Sequence, residues 1–187
     1  SRRRHTRCLS DWSSDVCSSD LIWSNLDSGG VSDVVGVWQH VAQLMTVVAL
    51  KQRYAGHAKR AALVAAAHSY MGRLVVVVDE DVDPSNLADV MWAITTRCEP
   101  SEQIDIVRNA WSSALDPRIP MEDKLSGITS HSKAIIEAVR PFAWKDKYPP
   151  TSALTADETK EIEAKWGAVI SGKPQKAPKI LKPKKKR

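Results

Sequence analysis

The most apolar short stretch of the chain is Leu74–Val78, five consecutive aliphatic residues behind Arg73. A run of that length without polar alternation predicts a strand buried on both faces, as in a sheet with helices on either side. The valine-rich Val31–Trp38 predicts another strand. Leu44–Lys51 predicts a third by its β-branched content, with a helix as the alternative. His57–His68 is alanine-rich and predicts a helix that ends at Met71-Gly72. Leu87, Val90, Met91 and Ile94 form the stripe of an amphipathic helix, with Asp83 as its expected cap and Pro84 in its first turn. Gln103–Val107 predicts a short strand, Asn109–Thr129 a loop broken by Pro117, Pro120 and Gly127, and Ser132–Val139 a short helix stopped by Pro141. Ala156–Ile170 predicts a charged final helix. Strands and helices alternate, so the expected fold class is α/β, a mixed sheet flanked by helices.

The charge pattern divides the chain further. The 187 residues carry a formal charge of +5, yet Lys173–Arg187 holds eight basic residues and no acid. Without them the remainder stands at −3, so the basicity belongs to a Lys/Pro tail and the folded body is mildly acidic. That tail is expected to be disordered. Its end, Lys184–Arg187, resembles a nuclear localisation signal. Non-specific electrostatic binding to nucleic acid through it is one alternative function, and no basic face with interleaved aromatics suggests a specific one. No run of about 18 apolar residues is present to cross a membrane as a helix.

Residues 1–21 (SRRRHTRCLSDWSSDVCSSDL) show no helical or strand period and hold seven serines and threonines. Asp11–Leu21 back-translates in one frame to a sequencing-library adapter, and Ser1–Arg7 to the upstream part of the same oligonucleotide. The segment is therefore expected to be non-native, and the reading frame to be cut before its start. Excluding it removes Cys8 and Cys17 and leaves Cys98 alone, which fits a reducing cytoplasm. The expected organisation is an adapter-like segment 1–21, an α/β domain 22–150, a helix within 151–172 and the tail 173–187.

Two groups of residues invite chemistry. Asp79, Glu80, Asp81 and Asp83 follow a strand, where α/β proteins bind ligands. A calcium loop fails there, because Pro84 and Val90 stand where glycine and glutamate are required. A solvated acidic turn is the simpler reading. Lys51–Arg60 gathers Lys51, Arg53, Lys59 and Arg60 with Tyr54 and His57 around Gly56. Cations at a helix N-terminus are opposed by its dipole, so an anion or a partner's acids would have to offset them. His57 and His68 lack a third ligand for a metal. No nucleophile elbow, phosphate-binding loop or paired zinc motif occurs.

Tyr54-x-Gly56-His57-Ala58-Lys59, the strand leading into Asp79–Asp83, and Trp92-Ala93-Ile94-Thr95-Thr96-Arg97 occur in that order. With SKAIIEAVRPFAWKDKYP downstream, they make the chain from Ile22 to Tyr148 resemble the C-terminal domain of the UbiD family of decarboxylases. The resemblance implies reversible, non-oxidative decarboxylation of aromatic or α,β-unsaturated acids. The implied cofactor is prenylated FMN held with a divalent metal (Mn or Mg) and K+. It places the catalytic residues and metal ligands upstream, so none is assigned here, and this chain alone is expected to be inactive and to hold no cofactor. For this domain it implies homo-oligomerisation and closure of one side of the cleft, in the cytoplasm. Trp111, with Leu115 behind it, is the implied hydrophobic wall for an aromatic carboxylic acid, a buried core tryptophan being the alternative. Tyr54, His57, Lys59 and Tyr70 are the cofactor- or anion-facing candidates. His68-Ser69 is shorter than the family's pattern before Tyr70. The rival function is a stand-alone assembly or binding module for a separate catalytic chain.

Overall fold

The computed structural model describes residues 14–151 and 156–170. Residues 1–13 and the basic tail expected over 173–187 lie outside the described residues. The chain forms two units, Ser1–Tyr148 and Pro149–Arg187.

The first unit is built on five strands: β1 (Val34–His40), β2 (Met45–Leu50), β3 (Leu74–Asp79), β4 (Ile104–Trp111) and β5 (Ser130–Ala138). Their order is β1-β2-β3-β5-β4. The three central strands run parallel, and the outer two are antiparallel to their neighbours. The sheet is therefore mixed, as expected. The aliphatic runs of β2 and β3 occupy its centre and are buried on both faces, which is why neither alternates. Each outer strand carries a register irregularity, β1 between Val34 and Gly36 and β4 between Val107 and Ala110.

Two helices, α1 (Ser14–Ser28) and α2 (His57–His68), cover one face. Ile22, Leu26, Ala58, Ala61, Ala62 and Ala65 meet Val48, Leu50, Val75, Val77 and Ile135 there. Alanines along α2 let the helix sit close to the sheet. On the other face Val90 and Ala93 of α3 (Leu87–Arg97) pack on Val47, Ala49, Val76 and Val78. Short helices α4 (Pro100–Gln103) and α5 (Met121–Leu125) lie in the connections, and a 3-10 segment, Phe142–Lys147, ends the unit. The second unit contains α6 (Ala156–Ile170), where the charged final helix was expected. No described helix is long and apolar enough to cross a membrane.

Four local expectations need correction. α1 begins at Ser14, so the described part of segment 1–21 is helical, with Ser19 buried and Ser18 Oγ accepting from Gln43 Nε2 at 3.0 Å. α3 starts at Leu87 and is capped by Asn86, whose Oδ1 accepts from the Ala88 N–H at 3.0 Å. Asp83 instead closes a turn onto Ser85. The strand expected to stop at Val107 continues to Trp111 through Asn109, which takes φ 54° at the bulge. Ser132–Val139 is not a helix. It belongs to β5, a strand between β3 and β4. Burial alternates along it while polarity does not, and the buried polar residues His131, Lys133 and Glu137 are matched by partners from other elements.

Candidate substrate-facing edge

The parallel strands give the sheet two distinct ends, and polar side chains collect at both. At the C-terminal end of β2, Gly56 takes φ 85° and turns the chain into α2. His57, the first residue of α2, is fully buried. Its ring stacks on Tyr54 with centroids 4.6 Å apart, and its Nδ1 accepts from the Arg53 N–H at 3.2 Å. That bond places the proton of the neutral ring on Nε2, and burial lowers the His57 pKa and favours the neutral form. The cations around this turn find acids within the same chain. Arg53 makes a two-pronged pair with Asp33, at 2.5 and 2.6 Å, and holds the Asp33 pKa down to about 2. Lys59 binds Asp105 and Glu137; burial opposes its charge, and the two carboxylates outweigh that and raise its pKa. Arg60 donates to the Gly29 carbonyl at 2.8 Å. Own-chain carboxylates thus offset Arg53 and Lys59 without a bound anion.

At the same end Asp79 is the centre of a buried cluster. It is 2% exposed and accepts from Gln52 Nε2 at 2.8 Å, Arg97 Nη1 at 2.7 Å, and the Arg140 N–H and Nε at 2.8 and 3.2 Å. Arg97, also buried, grips Asp81 with both Nη atoms at 2.8 Å and lies 5.0 Å from the Trp92 ring centre. The Arg97 hydrogen bond is the main reason the Asp81 pKa lies below the usual carboxylate range. Asp79 is thus buried in an ion-pair network that reaches Asp81, while Glu80, Asp81 and Asp83 remain exposed to solvent. The network ties β3, α3 and the end of β5 together.

The opposite end of the sheet holds a second network. Asp116, fully buried, accepts from Arg73 Nη2 at 2.6 and 2.8 Å, Ser112 Oγ at 3.1 Å, the Arg118 N–H at 2.9 Å and His131 Nδ1 at 2.8 Å. Burial pushes the Asp116 pKa up, but these donors outweigh it and the net shift is down. Asp116 being ionised, His131 donates from Nδ1. Next along β5, Lys133 is 3% exposed and donates to the Ser69 carbonyl, and burial lowers its pKa. Above this network stand two exposed aromatic rings. Tyr70 and Trp111 meet edge to face, centroids 4.8 Å apart.

Of the sequence candidates, the structure brings Tyr70 and Trp111 into contact and stacks Tyr54 on His57. It separates these two pairs. They flank opposite ends of α2, whose twelve residues at ~1.5 Å each span about 18 Å. Trp111 is 65% exposed, so the buried-core alternative is set aside. Leu115 is exposed on the turn that Ser113 Oγ closes by accepting the Leu115 N–H at 3.1 Å. Sequence reasoning missed Lys133, His131 and Asp116. No polar–apolar alternation marks His131, Lys133, Ile135 and Glu137 as the inward face of a strand.

The mixed sheet with helices on both faces makes this a three-layer α/β domain. Residues 21–138 match the family described as the 3-octaprenyl-4-hydroxybenzoate carboxy-lyase C-terminal domain, and the chain belongs to that UbiD family. It is 36% identical over 123 residues to a phenolic acid decarboxylase of Sedimentibacter hydroxybenzoicus, covering 64% of this chain and 24% of the relative. It is 38% identical over 129 residues to a phenolic acid decarboxylase of Bacillus subtilis (strain 168), covering 65% and 25%. The chain therefore spans about a quarter of the length of these curated relatives. The open form of Sedimentibacter hydroxybenzoicus vanillic acid decarboxylase superposes with a TM-score of 0.64 at 30% identity, over 84% of this chain and 33% of that one. The UbiD-class enzyme HmfF from Pelotomaculum thermopropionicum, solved with FMN, shares the fold with a TM-score of 0.66 at 22% identity, over 76% and 31%.

The donor set of this chain does not fit the implied metal. Among the described residues no three His, Cys, Asp or Glu side chains converge as ligands. Asp79 and Asp81 are taken by Arg97 and Arg140, and Glu137 by Lys59. Nor does the turn before α2 offer a flavin phosphate two free guanidinium or ammonium groups at Arg53 and Lys59, which are paired with acids.

Proposed function

We propose that this chain is the oligomerisation and cleft-closing domain of a reversible, non-oxidative decarboxylase of phenolic carboxylic acids, working in the cytoplasm with prenylated FMN. The observation that carries this reading is the Tyr70–Trp111 pair: two large aromatics exposed side by side at one sheet end, in a domain whose relatives are phenolic acid decarboxylases. When bound in the complete enzyme, prenylated FMN supplies the electron sink for loss of carbon dioxide. The part of this chain is to bind and exclude. An edge-to-face pair offers a phenolic ring one further aromatic face and one edge, and covers it from water. Phenolic rings pack in this way, so the pair sets which acids fit.

Grafting residues 21–148 in place of the matching quarter of the Bacillus subtilis enzyme tests the reading. The graft is expected to decarboxylate phenolic acids, and Trp111→Ala in the graft to raise kcat/KM for bulkier acids relative to smaller ones. A folded, flavin-loaded graft whose preference is the same with and without Trp111 refutes the assignment.

A further inference from the structure

Lys133 is an expensive residue for its position. It lies on a strand between two others and is 3% exposed, and it donates to one neutral group, the Ser69 carbonyl. Among the described residues no carboxylate lies within ion-pair distance of it, and burial is the cause that lowers its pKa. A leucine or methionine would fill the site without the cost of desolvating an amine. The position of the carbonyl it holds suggests what offsets that cost.

Ser69 is the residue that ends α2, and Tyr70 follows it directly. Several bonds fix this turn. The Ser69 N–H donates to the Ala65 carbonyl at 2.7 Å, the Ser69 hydroxyl meets Thr46 Oγ1 at 2.7 Å, and the Gly72 N–H donates to the Ser69 carbonyl at 3.3 Å. Lys133 adds a side-chain hydrogen bond to this turn from β5, the strand beside β4 and Trp111. Trp111 is tied to the same network from the other side. It pairs in register with Ser130, and the next residue, Ser112, bonds Asp116, which Arg73 grips three residues after Tyr70. Each ring thus stands one residue from a buried polar anchor, Tyr70 from Ser69 and Trp111 from Ser112.

We propose that Lys133 is a positioning residue for the Tyr70–Trp111 pair: through the Ser69 carbonyl it sets the turn that presents Tyr70 to Trp111, and so shapes the aromatic surface offered to the acid. This rests on the proposed function for what the surface binds, and not for how it is held. Lys133 does not touch substrate in this scheme. It acts on ring geometry, and with it on which acids fit.

The test uses the 187-residue chain labelled with 5-fluorotryptophan, whose seven tryptophans give separate fluorine resonances, that of Trp111 being identified with Trp111→Phe. Lys133→Met is expected to move the Trp111 resonance to the position it takes in Tyr70→Ala, while the other six stay in place. Lys133→Arg, which restores a donor, is expected to return it most of the way. A Trp111 resonance unchanged in Lys133→Met overturns the proposal, as does a shift of all seven together. Should the methionine variant fail to fold, Lys133→Gln is read instead, and its unfolding too would make Lys133 a core strut and overturn the proposal. Titrating the flavin-loaded graft, labelled in the same way, with vanillate separates the two claims. A Trp111 line that responds to Lys133→Met but not to vanillate keeps the positioning role and removes the substrate reading.

Discussion

Replacing Arg97 by methionine probes the Asp79 cluster most directly. The substitution removes three charge-assisted hydrogen bonds, one to Asp79 and two to Asp81. Stripping one partner from a buried ion pair costs about 3–5 kcal/mol when the remaining charge is left uncompensated. Asp79 is not abandoned, because Gln52 and the backbone and side chain of Arg140 still donate to it. Asp81 is partly solvated and recovers water, so its lost pair adds little. The expected loss is therefore at the low end, about 3 kcal/mol, a large part of the 5–15 kcal/mol that holds a domain of this size together. Urea denaturation at pH 7 should show a lower midpoint with the slope unchanged. The sign with pH follows from Asp81, whose folded pKa is depressed chiefly by Arg97. Its stabilising contribution is present above its unfolded pKa of roughly 4 and fades as pH falls through the lower folded value. The gap between wild type and Arg97→Met should therefore narrow below about pH 4. A gap under about 1 kcal/mol at pH 7, or one that widens in acid, would refute the reasoning.

Two further variants test the opposite end of the sheet. Trp111→Ala should cost only about 1–1.5 kcal/mol in urea denaturation, roughly a third of the 3–5 kcal/mol for a fully buried aromatic, because the ring is 65% exposed; a loss above about 3 kcal/mol would make it a core residue. Gly72→Ala should cost roughly 2 kcal/mol, since the new Cβ would overlap Ser69 Oγ and stand 2.8 Å from Ser69 Cβ. Adding Ser69→Ala should recover part of that loss, and a Gly72→Ala variant within about 0.5 kcal/mol of wild type would show the turn to be loose.

The parallel core could be read from the chain because β2 and β3 are apolar on both faces and α2 is alanine-rich, so local preference and burial agree. β5 was misread for the opposite reason. His131, Lys133 and Glu137 are buried polar residues whose compensation comes from Asp116, Ser69 and Lys59, 15 to 78 positions away. No local window contains those partners. Asp79 looked solvated for the same reason, its counter-charges being Arg97 and Arg140. Trp111 was placed on a loop, because the bulge at Asn109 interrupts the alternation that would have extended β4.

The irregularities in β1 and β4 have a bearing on how copies of this domain meet. Both borders of the sheet are interrupted, β1 between Val34 and Gly36 and β4 between Val107 and Ala110. A second chain seeking to extend the sheet finds no long flat ladder of free amides and carbonyls on either side. Growth into fibrils by strand addition is disfavoured at both borders. Any assembly built from this domain is thereby steered toward helix and side-chain contacts, which can close into a defined number of subunits where an open ladder would continue without limit.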